Sequence, residues 1–256
     1  MLLYQAGLPL SSSTLNRVAC LVRARRRVVG SRWRVLTPGR QALLTLVYLH
    51  TSTTYASVAA GFGVSTATAA RRIQETIDLL AARRAPLRVA LRRARKRGIM
   101  TVILDGTVIR CDRVTARPGM YSGKHRHHGV NVQVVTDLDG NALWISPDLP
   151  GSTHDTAAAR IWMIHRHLDT AGMTALADKG YHGLHPTTIH TPHKGRGLSP
   201  VRQHANHTHA TIRSRAERAF AELKKWRILH KLRCSTHRAT PIIHAIHTLN
   251  TYQQTG

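Results

Sequence analysis

Only twelve acids occur among 256 residues, so the carboxylates able to bind a hard cation can be searched one by one. Asp105 closes the apolar run 100–104 and Asp178 closes the run 175–177; both runs predict short buried strands. A side chain at a strand end is held rigidly at a sheet edge, although a single Asp there is also ordinary loop-initiating chemistry. Glu217 has Arg213 four residues before it and Lys224 seven after. On a 3.6-residue repeat the three share one face of a helix predicted over 210–231. A row of surface ion pairs is the competing explanation, and Glu222, off that face, is the alternative to Glu217. Asp155 stands at the start of a helix predicted over 154–168, where the helix dipole stabilises a carboxylate; that is the preferred reading, and an approach to the other acids is its rival. Six of the remaining seven acids have simpler explanations. Asp137 and Asp139 bracket a turn, Asp112 and Asp169 fall at solvated positions, and Glu75 and Asp78 belong to a basic N-terminal region.

The elements that would carry these acids follow from periodicity. The runs 100–104, 129–136 and 142–146 read as three successive strands, with Asp137-Leu138-Asp139-Gly140 as a turn. A helix and the strand ending at Asp178 follow. The segment 182–209, rich in His, Thr, Pro and Gly, reads as irregular, and helices resume over 210–231 and 242–252. Before Gly98 the pattern is helical. Pro38 opens a helix, 54–60 forms a second, Gly61-Phe62-Gly63 turns, and Ser65 caps a third helix running from Thr66 to about Leu80. Helix, glycine turn and helix is the outline of a helix-turn-helix, with Thr66, Thr68, Arg71 and Arg72 best placed to meet DNA bases or phosphates. A basic linker, 83–97, leads out of it. The chain thus divides into a basic region 1–98, with the helix-turn-helix at about 38–80, and an α/β domain over 99–256.

Charge points to the partner. Thirty-eight Lys and Arg against twelve acids give +26, and eighteen of those cations precede Gly98 against only Glu75 and Asp78. That excess suits a polyanion, because each neutralised phosphate releases condensed counterions. Cys20, Cys111 and Cys234 are odd in number and far apart, which predicts neither a disulfide framework nor a cysteine zinc site. Neither a signal-type N-terminus nor a membrane-length apolar run is expected, so the reading is of a soluble protein of the cytoplasm, associated with the nucleoid of a prokaryotic host. Zinc binding by His125, His127 and His128, or by His204, His207 and His209, is a separate possibility raised by the eighteen histidines.

Four stretches together resemble the DDE-superfamily transposases of insertion-sequence and Harbinger-like type: Leu104-Asp105-Gly106-Thr107, Pro150-Gly151-Ser152-Thr153-His154-Asp155, Ala177-Asp178-Lys179-Gly180-Tyr181, and Glu217-Arg218-Ala219-Phe220 running on to Leu223-Lys224. Asp178 to Tyr181 satisfies the family's Asp-x-Gly-aromatic pattern, and thirty-eight residues lie between Asp178 and Glu217. Where the family often has a Tyr three residues before the Arg, this chain has Ala210. The resemblance implies a ribonuclease H-like catalytic domain with a mixed sheet, preceded by an all-α helix-turn-helix domain. It implies that Asp105, Asp178 and Glu217 are catalytic and hold Mg²⁺ or Mn²⁺, two ions in all, with Asp155 as a further candidate ligand. It implies that Arg213 and Lys224 hold DNA phosphates, and that a homodimer or higher assembly forms on DNA. The reaction implied is metal-dependent phosphodiester cleavage and strand transfer at the ends of an insertion element. The alternative is a transposase-derived DNA-binding protein without catalysis.

Overall fold

A computed structural model describes residues 11–30, 34–112 and 118–254. Two compact units divide the chain. The first holds the residues up to Arg84, Leu223–Arg233 and the residues from His237 onward; the second holds Ala85–Glu222 with Cys234–Thr236.

In the first unit, helix boundaries follow from capping chemistry. Thr37, Thr54 and Ser65 each adopt extended backbone and accept a hydrogen bond from the amide three residues on. They start α2 (Pro38–Thr51), α3 (Tyr55–Phe62) and α4 (Thr66–Ala81). Gly63, at φ 65°, ends α3 in a conformation that costs glycine little. Along α4 the buried Ala69, Ile73, Ile77 and Leu80 recur every three or four residues and form its inward face. Two further helices complete the unit. The N-terminal α1 (Ser12–Val28) packs on α2, yet its second half is Arg25-Arg26-Arg27 and its buried positions are few, so it carried little periodic signal. A C-terminal helix, Ala239–Gln254, lies along α4 and buries Ile242, Ile243, Ile246 and Leu249. Thr248 Oγ1 donates to the Leu80 carbonyl at 3.1 Å, and Arg238 pairs with Asp78 at 3.0 Å. Trp226, almost wholly buried, donates from Nε1 to Asn250 at 2.7 Å.

The second unit is a mixed sheet with helices packed on it. The basic linker proves to be an amphipathic helix, α5 (Leu87–Lys96), whose Leu87, Ala90, Leu91 and Ala94 enter the core while its Arg and Lys residues face away. The long strand β1 (Thr101–Arg110) is central. β2 (Tyr121–Ser122), β4 (Ala142–Ile145) and β5 (Leu149–Pro150) all pair with β3 (His127–Thr136), and β3 runs antiparallel to β1. On its other side β1 is parallel to β6 (Thr174–Ala177), which is parallel to β7 (Ile189–His190). This is the ribonuclease H-like, mixed α/β arrangement expected from the sequence.

Several expected boundaries move. Asp105 does not end its strand: β1 continues five residues further, because each of those residues finds a partner in β3. The helix expected over 154–168 is two, α6 (Asp155–Ile161) and α7 (Ile164–Ala171), separated where Met163 turns left-handed at φ 50°. The segment expected to be irregular contains β7 and most of a fourteen-residue helix, α8 (Pro200–Arg213), started by Ser199 and Pro200. Its fourteen residues bury nothing fully, so no apolar stripe announced it. Finally, α8 and α9 (Ala216–Lys224) are not one helix. The hairpin turn before β4 clasps the break between them: Arg215 donates to the Leu138 carbonyl at 3.3 Å, and Gly140, at φ 81°, approaches so closely that a Cβ there would lie 2.1 Å from the Arg215 carbonyl oxygen. Among the described residues no helix is long and apolar enough to cross a membrane.

Candidate active site

The register of the central strands brings the two predicted aspartates together. Leu104 of β1 is paired in parallel with Ala177 of β6, so the next residue on each, Asp105 and Asp178, emerges at the same level of the sheet. Asp178 Oδ1 accepts the Gly180 amide at 2.8 Å, which folds Lys179–Tyr181 into a 3-10 turn. Asp105 Oδ1 accepts its neighbour's amide, Gly106, at 3.0 Å, and Oδ2 accepts from Arg213 Nη1 at 3.1 Å.

A third carboxylate closes on the pair. Asp155, the first residue of α6, accepts through Oδ1 from Asn131 Nδ2 at 3.0 Å and Gln133 Nε2 at 3.1 Å. Asn131 and Gln133 alternate along β3, so both point to one face, and both are buried. The Gln133 amide also donates to Asn131 Oδ1 at 2.9 Å, while its carbonyl oxygen accepts the hydroxyl of buried Tyr181. Gly106 leaves the room for this arrangement. A Cβ at that position would lie 2.2 Å from Asp155 Oδ1 and 2.9 Å from Gln133 Nε2.

The electrostatics are those of crowded acids. Burial pushes the Asp105 carboxyl above its ordinary range; the Arg213 charge and the Gly106 amide oppose this, and the neighbouring Asp178 and Asp155 add to it. Burial also drives the Tyr181 phenol well above its usual value, reinforced by the charges of Asp155, Asp105 and Asp178. Tyr181 therefore stays protonated and donates to Gln133. Such a set has excess negative charge and oxygen donors, which is what a hard divalent cation neutralises.

Glu217 is placed differently. It is exposed in the first turn of α9, separated from Arg213 by the Ser214–Arg215 turn. Glu222 is half-buried on the same helix. Among the described residues no three His, Cys, Asp or Glu are grouped so as to hold a metal ion by themselves, the two histidine sets included.

Residues 104–250 match the family described as DDE superfamily endonuclease, and residues 34–86 match the helix-turn-helix of DDE superfamily endonuclease. A candidate transposase for insertion sequence element IS112 of Streptomyces albus G is 30% identical over 217 residues, covering 82% of this chain and 78% of that protein. The chain belongs to the DDE superfamily endonucleases. No solved structure matches it significantly.

Within this DDE endonuclease the helix-turn-helix match spans α2, α3 and α4, and the two matched parts together imply DNA as the partner. At the start of α4, Thr66 and Arg71 are exposed. Thr68 is half-buried and its hydroxyl accepts from that of Ser65 at 2.9 Å. Arg72 is held by Glu75 at 3.0 Å, within a cluster in which Glu75 also accepts from Arg34 at 2.7 Å and Gln41 at 3.0 Å. Lys224 is exposed in the last turn of α9. Sequence reasoning gave no role to Asn131, Gln133 or Gly106. The signal was available for the first two: polar residues two apart inside an otherwise apolar strand share one face, and on a buried strand such a face needs polar partners.

Proposed function

We propose that this chain is a DNA transposase that cleaves phosphodiester bonds at the ends of an insertion element and joins those ends to target DNA. The observation that carries the reading is the parallel pairing of Leu104 with Ala177, which sets Asp105 beside Asp178 with Arg213 on the same carboxylate. Crowded carboxylate oxygens are the chemistry that Mg²⁺ or Mn²⁺ favours, and the family resemblance gives two ions as the complement. Asp105 and Asp178 would hold the metal, Glu217 would complete the family's triad, and Asp155, fixed by Asn131 and Gln133, is the other carboxylate within electrostatic reach. When bound, the metal supplies charge neutralisation and activation of a water or 3′-hydroxyl. In the displacement the attacking oxygen forms a bond to phosphorus, the bond to the leaving oxygen breaks in line, and the attacking group's proton passes to solvent. Arg213 is the residue to hold the phosphate by its guanidinium fork, exchanging Asp105 for the substrate, and Lys224 contributes a point charge farther along. Arg71, Arg72, Thr66 and Thr68 of the helix-turn-helix would read the element's ends, two of which must be joined in a homodimer or larger assembly on DNA. The setting would be a prokaryotic nucleoid.

The test is Asp178→Asn in the full chain. Mg²⁺-dependent cleavage of an element-end duplex is expected to fall at least about a hundredfold, with binding of that duplex retained; undiminished cleavage removes the assignment. Glu217→Gln and Asp155→Asn, assayed beside it, identify the third carboxylate by which of them loses cleavage to the same extent.

A further inference from the structure

Between Asp178 and Glu217 the chain carries no acid at all, against Lys179, Lys194, Arg196, Arg202, Arg213 and Arg215 and seven histidines. Most of this stretch is β7, the loop after it and α8. A fourteen-residue helix that fully buries none of its residues lacks the tertiary packing that sustains most helices in water. Polar bonds hold α8 in place instead. Asn206 clamps the backbone of His193, accepting its amide at 2.7 Å and donating to its carbonyl at 3.1 Å. His209 Nε2 donates to the His190 carbonyl at 3.1 Å. A groove of about 390 Å³ lies between α8 and the β7 segment, lined by His182, His190, His193, Asn206 and His209, and the buried Nδ1 of His209 has no partner in the protein.

The position of this basic arm says what it serves. Its last helical residue, Arg213, contacts Asp105, and His190 on β7 is paired with Leu176, two residues before Asp178. At 1.5 Å per residue α8 runs about 21 Å away from the carboxylates, which is the length of about six base pairs of duplex.

The geometry points to α8 and the adjoining groove as a track for the phosphate backbone of duplex DNA. The track binds without regard to base sequence and guides the duplex to the carboxylates at its Arg213 end. The exposed Lys194, Arg196 and Arg202 supply the charge, while the histidine-lined groove receives the backbone. This assignment rests on the reading of the chain as an enzyme acting on DNA, but its test does not depend on cleavage.

The test is the triple variant Lys194→Ala, Arg196→Ala, Arg202→Ala in the full chain, with an unrelated-sequence 30-base-pair duplex as probe in fluorescence anisotropy. All three residues are exposed, so an unchanged melting temperature is expected. Affinity near 0.1 M salt should fall at least about tenfold, and the slope of log K against log salt should shrink by about three, one for each lost phosphate contact. Swapping each cation for the other (Lys194→Arg, Arg196→Lys, Arg202→Lys) should restore both values. Amides of residues 200–213 should exchange more slowly in wild type once duplex is added. Unchanged affinity and slope, or unchanged amide exchange, overturns the track. If wild type binds but never cleaves element ends while the variant still loses affinity, the track stands and the catalytic reading falls. If wild type cleaves and the variant binds as before, the track alone falls.

Discussion

A Cβ on Gly106 would lie 2.2 Å from Oδ1 of Asp155. The residue after the first catalytic candidate is therefore small because a second carboxylate leans over it, and not for the sake of a turn. Gly106→Ala should displace Asp155 and Gln133, lowering stability by about 1–3 kcal/mol and cleavage at least about tenfold, with binding by the helix-turn-helix untouched. Thermal melting and element-end cleavage check this, and full activity in the variant would show that Asp155 has no place in the site.

Asp105 is held with its carboxyl above the ordinary range, chiefly by burial. A group whose folded value is raised contributes stability below its unfolded value and loses it as pH rises through the folded one. At neutral pH the metal-free protein therefore carries a cost at this position. Asp105→Asn should raise its melting temperature, by a free energy on the order of 1 kcal/mol, while abolishing cleavage. Added Mg²⁺ should stabilise wild type and leave the variant unmoved. A lower melting temperature for the metal-free variant would contradict this account.

Glu75 behaves in the opposite sense. Burial alone would raise its carboxyl, but hydrogen bonds from Arg34, Gln41 and Arg72 and the charge of Arg34 outweigh burial and hold it below the usual value. Its contribution is present above the unfolded carboxylate range and is lost as pH falls through the lowered folded value. Glu75→Gln should cost about 2 kcal/mol at pH 7, and the gap between variant and wild type should close on acidification. Urea melts at several pH values measure it; a gap independent of pH would mean that the carboxylate's charge is irrelevant there.

Two of the three cysteines, Cys20 and Cys111, should separate by reactivity. Burial, aided by Cys234, Asp148 and Asp112, pushes the Cys111 thiol up to about 12, whereas Cys20 is exposed. The thiolate is the nucleophile. At pH 8 a thiol reagent should therefore label Cys20 within minutes and Cys111 only after denaturant is added. Peptide mapping of the labelled protein reads this directly, and rapid native labelling of Cys111 would refute its burial.

Much of the helix-turn-helix was legible because its instructions are local: Thr54 and Ser65 cap, Gly63 turns, and the inward face of α4 repeats every three or four residues. Asp105 and Asp178 could be singled out by the apolar runs before them, yet their meeting depends on strand register, which no local pattern states. Asp155 showed as a helix start and a rival; that it leans on Asn131 and Gln133 comes from distant strands. The single helix expected through Arg213 and Glu217 is two, because the break at Ser214 is clasped by Gly140 and Leu138, more than seventy residues earlier. Likewise no buried apolar stripe announces α8, none of whose residues is fully buried.

The helix Ala239–Gln254 belongs with α4, so the first unit takes its last wall from residues that follow the second along the chain. Domains form as they leave the ribosome, earliest residues first. Here the first unit cannot close until the second has already been made. A message broken within the second unit therefore yields a chain whose first unit is unfinished.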